Sequence, residues 1–169
     1  MNIPRLIPAL LTASVTFLYA CGGSEGHESA TAASAPAPEE TTAQAAEPAV
    51  VDPEARSDSR GIGKFTSVKL DAPDPGLAAK GEVVFTSKCA ACHKTTGEKL
   101  VGPGLKNITV RRTPEWIMNM ITNPEEMTKK DPVAQALLEK HLVQMTFQNV
   151  SDEETRQILE FFRQNDTNP

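Results

Sequence analysis

The chain has 169 residues, 39% of them apolar, and a formal net charge of −5, which allows one domain, or one domain with appendages. The charge is uneven: residues 22–60 hold eight acids and two arginines, whereas residues 61–169 hold fourteen acids and fourteen Lys or Arg. The acidity therefore belongs to a solvated, self-repelling segment and says little about the partners of the part that folds.

Residues 1–21 place Arg5 ahead of an apolar run from Leu6 to Ala20 that ends in small residues, the layout of a secretory signal. Fifteen residues containing Pro8 fall short of the ~20 that a transmembrane helix needs. Leu18-Tyr19-Ala20-Cys21 resembles a bacterial lipobox, with Tyr19 where a small residue is usual. Lipid attachment at Cys21 is expected, and with more than one acyl chain it would anchor the protein stably. Residues 22–71 are assigned to a disordered tether. Its first part, to Arg60, is rich in Ala, Glu, Ser, Thr and Pro and has no aromatic residue to offset the entropy of ordering. A coil of that length has an r.m.s. span of ~40 Å.

The compact domain is expected over residues 72–166, small enough to need a staple such as a disulfide, metal or cofactor. Asp74 can cap a first helix, with Pro75 in its first turn and Gly81 inside it, where another helix could approach closely. The helix leads into Cys89-Ala90-Ala91-Cys92-His93. Cys-x-x-Cys-His is the signature of covalent haem attachment: two thiols add to the haem vinyl groups, and the following His falls beneath the iron. Half a zinc site is the first competing reading, but no further Cys pair or His-x-x-x-His completes four ligands. A thioredoxin-like redox pair is the second, but it needs a βαβ context. A secretory signal agrees with haem, which is attached outside the bacterial cytoplasm.

A turn-rich loop follows, with Gly97, Gly102, Pro103, Gly104 and Leu105. Thr113-Pro114-Glu115 opens a second helix, which Asn123-Pro124 stops. Asp131-Pro132 opens a third, to about Leu142, with Leu137, Leu138 and Leu142 as candidate inward residues. Ser151 to Glu154 forms a capping box ahead of the last helix, where Ile158, Phe161 and Phe162 share one face. Neither a strand pattern nor an internal repeat stands out. His141 reads as a surface residue at a helix end, and His27 as a free linker residue.

The order glycine, aromatic, attachment motif, Gly-Pro-x-Leu, then Met before a capped aromatic helix resembles the class I, mitochondrial-type cytochrome c family over about Ala72 to Gln164. Within it the chain is similar to single-haem lipoprotein cytochromes of bacteria. The resemblance implies an all-α cytochrome c fold, about four to five helices around one covalently bound haem c, preceded by the linker. It implies that Gly81 and Phe85 lie where the first and last helices cross, against Phe161 or Phe162. It implies that Gly102 or Pro103 accepts the proton of proximal His93, that Leu105 of the same loop contacts the haem, and that Trp116 lies near a haem propionate. By that match His93 and Met145 ligate the iron, with Met145 fifty-two residues after His93. Met127, assigned to a loop, is the next candidate, and Met118 and Met120 read as helical core. The family's Pro after the ligand Met is Thr146 here, which does not fix φ.

With both axial positions filled, the expected role is one-electron transfer between membrane-associated redox partners such as oxidase or reductase complexes, without enzyme chemistry. The alternative is a haem enzyme or ligand sensor, peroxidase-like, with a labile Met145. A monomer without nucleic-acid partners is expected, lipid-anchored in a bacterial cell envelope and facing the periplasm or exterior. Lys88, Lys94, Lys99, Lys106, Arg111 and Arg112 are candidates for a cationic ring that steers acidic partners.

Overall fold

The computed structural model describes residues 51–167. Six helices occur among them, and no strand: α1 (Pro75–Lys88), α2 (Ile108–Arg111), α3 (Pro114–Thr122), α4 (Pro124–Lys130), α5 (Pro132–His141) and α6 (Asp152–Thr167). None of these helices is long and apolar enough to cross a membrane. Cys21 and the signal-like run lie outside the described residues, as does residues 22–50 of the expected tether.

The helix starts follow the capping chemistry of the sequence. The Asp74 carboxylate accepts from the backbone N–H of Gly76 and Leu77, and Thr113 Oγ1 accepts from Trp116 N. Ser151 and Glu154 satisfy each other's backbone N–H reciprocally, at 2.8 and 3.2 Å. Two helices escape the sequence reading. Pro124 ends α3 and also serves as the first residue of α4, so Met127 lies in a helix and not in a loop. Short α2 takes its N-terminal partner from a distance: the Asp166 carboxylate accepts from Asn107 N, Thr109 N and Thr109 Oγ1. Leu142 does not turn inward. It caps α5 with φ +56° and is 84% exposed.

The most extensive helix packing is α1 against α6. A Cβ on Gly81 would overlap the Gln157 carbonyl and stand 2.9 Å from Ile158 N, so only glycine admits the crossing. Phe85 seals it, with ring centroids 5.4 Å from Phe161 and 5.8 Å from Phe162. Such aromatic pairs are worth about 0.5–1.5 kcal/mol beyond the area they bury. Ile117, Ile121, Ile158 and Leu159 complete the core between α3 and α6.

The stretch ahead of residue 72, expected as tether, forms a strap over the helices from residue 51 onward. Residues 51–71 pack on the helices and form no helix or strand of their own. Arg112 donates to the carbonyls of Pro53 and Ala55, Asn119 Nδ2 to those of Arg60 and Phe65, Arg156 to Lys69 and Arg163 to Asp71. In return, Val68 N donates to Glu115 Oε1 and Phe65 N to Asn119 Oδ1. Composition misplaced this segment because its order comes from side chains far along the chain and not from its own apolar content. Val51, Phe65 and Val68 are its partly buried apolar anchors.

Candidate functional site

The end of α1 delivers the Cys-x-x-Cys-His segment. The backbone turns back on Cys89, whose carbonyl accepts from Cys92 N and His93 N, both at 3.0 Å. This compact turn sets Cys89, Cys92 and His93 along the wall of a cavity whose other sides come from α3, α5, α6 and residues 143–148. Its lining is mainly apolar and includes Phe85, Leu105, Ile108, Ile121, Leu138 and Phe162.

His93 Nδ1 lies 2.9 Å from the carbonyl oxygen of Pro103. With Nδ1–H donating there, Nε2 is left as the nitrogen with a lone pair for a metal. The acceptor is thus Pro103, and Gly102 has a different task. A Cβ at Gly102 would overlap His93 Cε1 and stand 2.9 Å from Nδ1, so the imidazole packs directly against that glycine. Gly102 N donates to Cys92 O at 2.9 Å and Leu105 N to Lys94 O at 2.9 Å, which fastens the loop to the motif.

The structure separates the methionines. Met145 lines the cavity, half-buried, in the segment between α5 and α6. Met120 also lines it, from α3. Met118 is buried and outside the lining. Met127 is fully buried in α4 and away from the cavity, its sulfur accepting from Ile62 N at 2.9 Å. Its sulfur is thus committed to the strap.

Trp116 lines the cavity, but its indole N–H is taken. Nε1 donates to Asp131 Oδ1 at 2.9 Å, with the Arg112 guanidinium 5.2 Å from the ring centroid. The resemblance places Trp116 near a haem propionate; within the protein its indole N–H is held by the buried Asp131. Asp131 also caps α5 through Ala134 N and accepts from Ser59 Oγ at 2.5 Å, so one carboxylate joins α3, α5 and the strap.

His141 is not the surface residue the sequence suggested. It lines the cavity, and its Nε2 is buried without a hydrogen-bond partner. Burial, with Lys99 and Lys140 nearby, holds its imidazole below the usual histidine range. The only sequence signal was its place four residues before Met145.

The expected cationic ring shrinks. Lys88 pairs with Glu154 at 2.9 Å, Lys94 with Glu98 at 2.7 Å and Arg111 with Glu54 at 2.7 Å, while Arg112 is buried. Lys99 and Lys106 are exposed.

Other readings of the cysteine pair lose ground. No group of three or more His, Cys, Asp or Glu among the described residues could hold a metal, as a zinc site requires. Burial pushes the Cys89 thiol up, the opposite of what a reactive thiolate needs. A flat apolar cofactor bonded at Cys89 and Cys92 fits the wall, the apolar lining and the fixed His93. The fold and this wall define a haem protein of c type.

The chain belongs to the cytochrome c family: the family model for cytochrome c matches residues 78–166. Members carry covalent haem c with its iron and transfer electrons, and Cys89 and Cys92 fit the attachment motif. Among solved structures, cytochrome c from Rhodothermus marinus is 38% identical with a TM-score of 0.61, over 63% of this chain and 92% of that one. An engineered form of that cytochrome, Rma TDE, is 38% identical with a TM-score of 0.62, over 69% of this chain and all of that one. The same engineered protein bound to a carbene intermediate, 1-ethoxy-1-oxopropan-2-ylidene, gives 38% and 0.60. No curated protein matches the chain.

Proposed function

We propose that this protein carries single electrons through a haem c whose iron is held by His93 and Met145. The observation that carries the reading is that both side chains line one apolar cavity, with His93 Nδ1 fixed on Pro103 O. When bound, the haem supplies a one-electron couple at its iron. The chain's contribution is to hold the imidazole in one tautomer and orientation through Pro103 and Gly102. The Met145 thioether, a soft ligand, favours the ferrous state and raises the potential. Leu105, Phe85 and Phe162 keep water from the cofactor. The test is optical. The ferric protein should show the sulfur-to-iron charge-transfer band, and Met145→Ala should abolish it. A band surviving in that variant would sink the assignment.

A second reading, a haem enzyme or ligand sensor with a labile Met145, is favoured by one observation. Residues 142–149 are largely exposed and carry Thr146 where the family has Pro. Carbon monoxide binding to the ferrous protein separates the two: a tightly held Met145 resists it, and rapid uptake favours the sensor.

The setting is proposed from the N-terminal sequence. Cys21 is the lipid attachment site, the protein is anchored in a bacterial envelope, and its partners are membrane-associated redox proteins. Replacing Cys21 with Ser should move the holoprotein from membrane to soluble fractions. Exposed Lys99 and Lys106 are the remaining candidates to steer an acidic partner, and electron-transfer rates insensitive to ionic strength would exclude that role.

A further inference from the structure

We infer that His141 is a positioning residue for the haem, donating a hydrogen bond from Nε2 to one of its propionates. A buried polar nitrogen without a partner is rare in a folded protein, and one that lines a cofactor cavity points to a partner on the cofactor. The class of partner follows from what the haem offers. Its edge is apolar except for two carboxylates, and its iron has two axial positions, which this inference takes, with the reading above, as filled by His93 and Met145. A ring nitrogen elsewhere on the wall therefore meets a propionate oxygen, an acceptor that matches a neutral imidazole N–H.

Two further observations agree. The groups that act electrostatically on His141 are Lys99, Lys140, Glu54 and His93. Glu54 is itself bridged to Lys140 at 2.9 Å and Arg111 at 2.7 Å, so the surroundings hold cations that suit an added carboxylate. Trp116, which the family resemblance places near a propionate, has its indole N–H spent on Asp131. His141 thus offers a cavity donor in its place.

The test uses the ferrous and ferric holoprotein, wild type and His141→Leu, with His141→Gln to restore a donor. The propionate bending mode in the resonance Raman spectrum should shift in the Leu variant and return toward wild type in the Gln variant. The midpoint potential should fall in the Leu variant, because a propionate without its hydrogen bond acts more fully on the ferric charge, and should recover with Gln. An unchanged mode and potential in the Leu variant would overturn the inference. So would loss of the native low-spin spectrum in both variants, which would make His141 an iron ligand. In wild-type ferrous protein labelled with nitrogen-15 histidine, the inference requires a slowly exchanging ring N–H at His141. Its absence would overturn the inference even if the Leu variant failed to mature. Absence of the sulfur-to-iron band from wild type would instead reject Met145 ligation, separately from the Raman result.

Discussion

Two of the segments without helix or strand in this domain are held in opposite ways. Residues 51–71 hand their backbone polar groups to long side chains of the helices: Arg112, Asn119, Glu115, Arg156 and Arg163. Residues 142–149 bond largely among themselves, Gln144 Nε2 to Met145 O and Gln148 Nε2 to Thr146 O. Their ties to the helices include Leu142 N to Leu138 O, Lys88 Nζ to Asn149 O and Thr128 Oγ1 to Gln144 Oε1. A segment without secondary structure is ordered only where its N–H and C=O groups find partners. The strap meets that condition from protein alone. The distal segment depends far more on the proposed iron bond of Met145.

The largest expected effects break the strap side of this comparison. Asp131→Ala removes the partner of the buried Trp116 N–H, the cap of α5 and the acceptor for Ser59. The expected loss is about 2–4 kcal/mol, combining an unsatisfied buried donor with a lost cap. Urea unfolding of the holoprotein measures it, and limited proteolysis should cut within residues 51–71 first. A variant as stable as wild type would mean that Asp131 does not organise the strap. Asn119→Ala comes next. It strips partners from the Phe65 N–H and from two strap carbonyls, for about 2 kcal/mol. Its effect should be confined to the strap, leaving the haem spectrum of the holoprotein unchanged.

These two residues also mark where sequence reasoning stopped. Local signals were legible: Asp74, Thr113 and Ser151 cap helices as their own neighbours require, and Gly81 announced a close crossing. The haem wall was legible because Cys89, Cys92 and His93 are adjacent in the chain. Pairing over long separations was not. Nothing near residues 51–71 says that Asn119 and Arg163 will hold them, and nothing near Asn107 says that Asp166 will cap α2. His141 was misread for the same reason. A histidine at a helix end is ordinary, and only the folded chain turns it into the cavity. Pro124 carries a double signal: proline stops one helix and also suits the first position of the next.

Thr146→Pro sharpens the other side. Fixing φ in the distal segment reduces the freedom of the unfolded chain and restrains Met145, with a gain of about 0.4–1 kcal/mol where the backbone accepts it. The clearer readout is kinetic. Imidazole binding to the ferric protein, which under the proposed ligation requires Met145 to leave, should slow in the variant. Equal rates would show that the segment is already as constrained as the strap.

The smallest effect is at the ion-paired corner where the strap meets α5. Glu54 accepts from Lys140 Nζ at 2.9 Å and pairs with Arg111 at 2.7 Å, and its carboxylate is 43% exposed. The hydrogen bond from Lys140, with the charges of Arg111, Lys140 and His141, holds its pKa below the ordinary carboxylate range. A depressed folded pKa means that the stabilisation is complete above the unfolded value and is lost as pH falls through the folded one. Exposure and salt keep it to about 0.5 kcal/mol. Glu54→Gln should therefore unfold about that much more easily than wild type near pH 7. The gap should close in strong salt and again in acid, once the pH has fallen below the depressed folded pKa and Glu54 is protonated in both states. A gap that persists in acid would mean that Glu54 holds the corner by packing and not by charge, and would make the strap's outer end more like its buried middle.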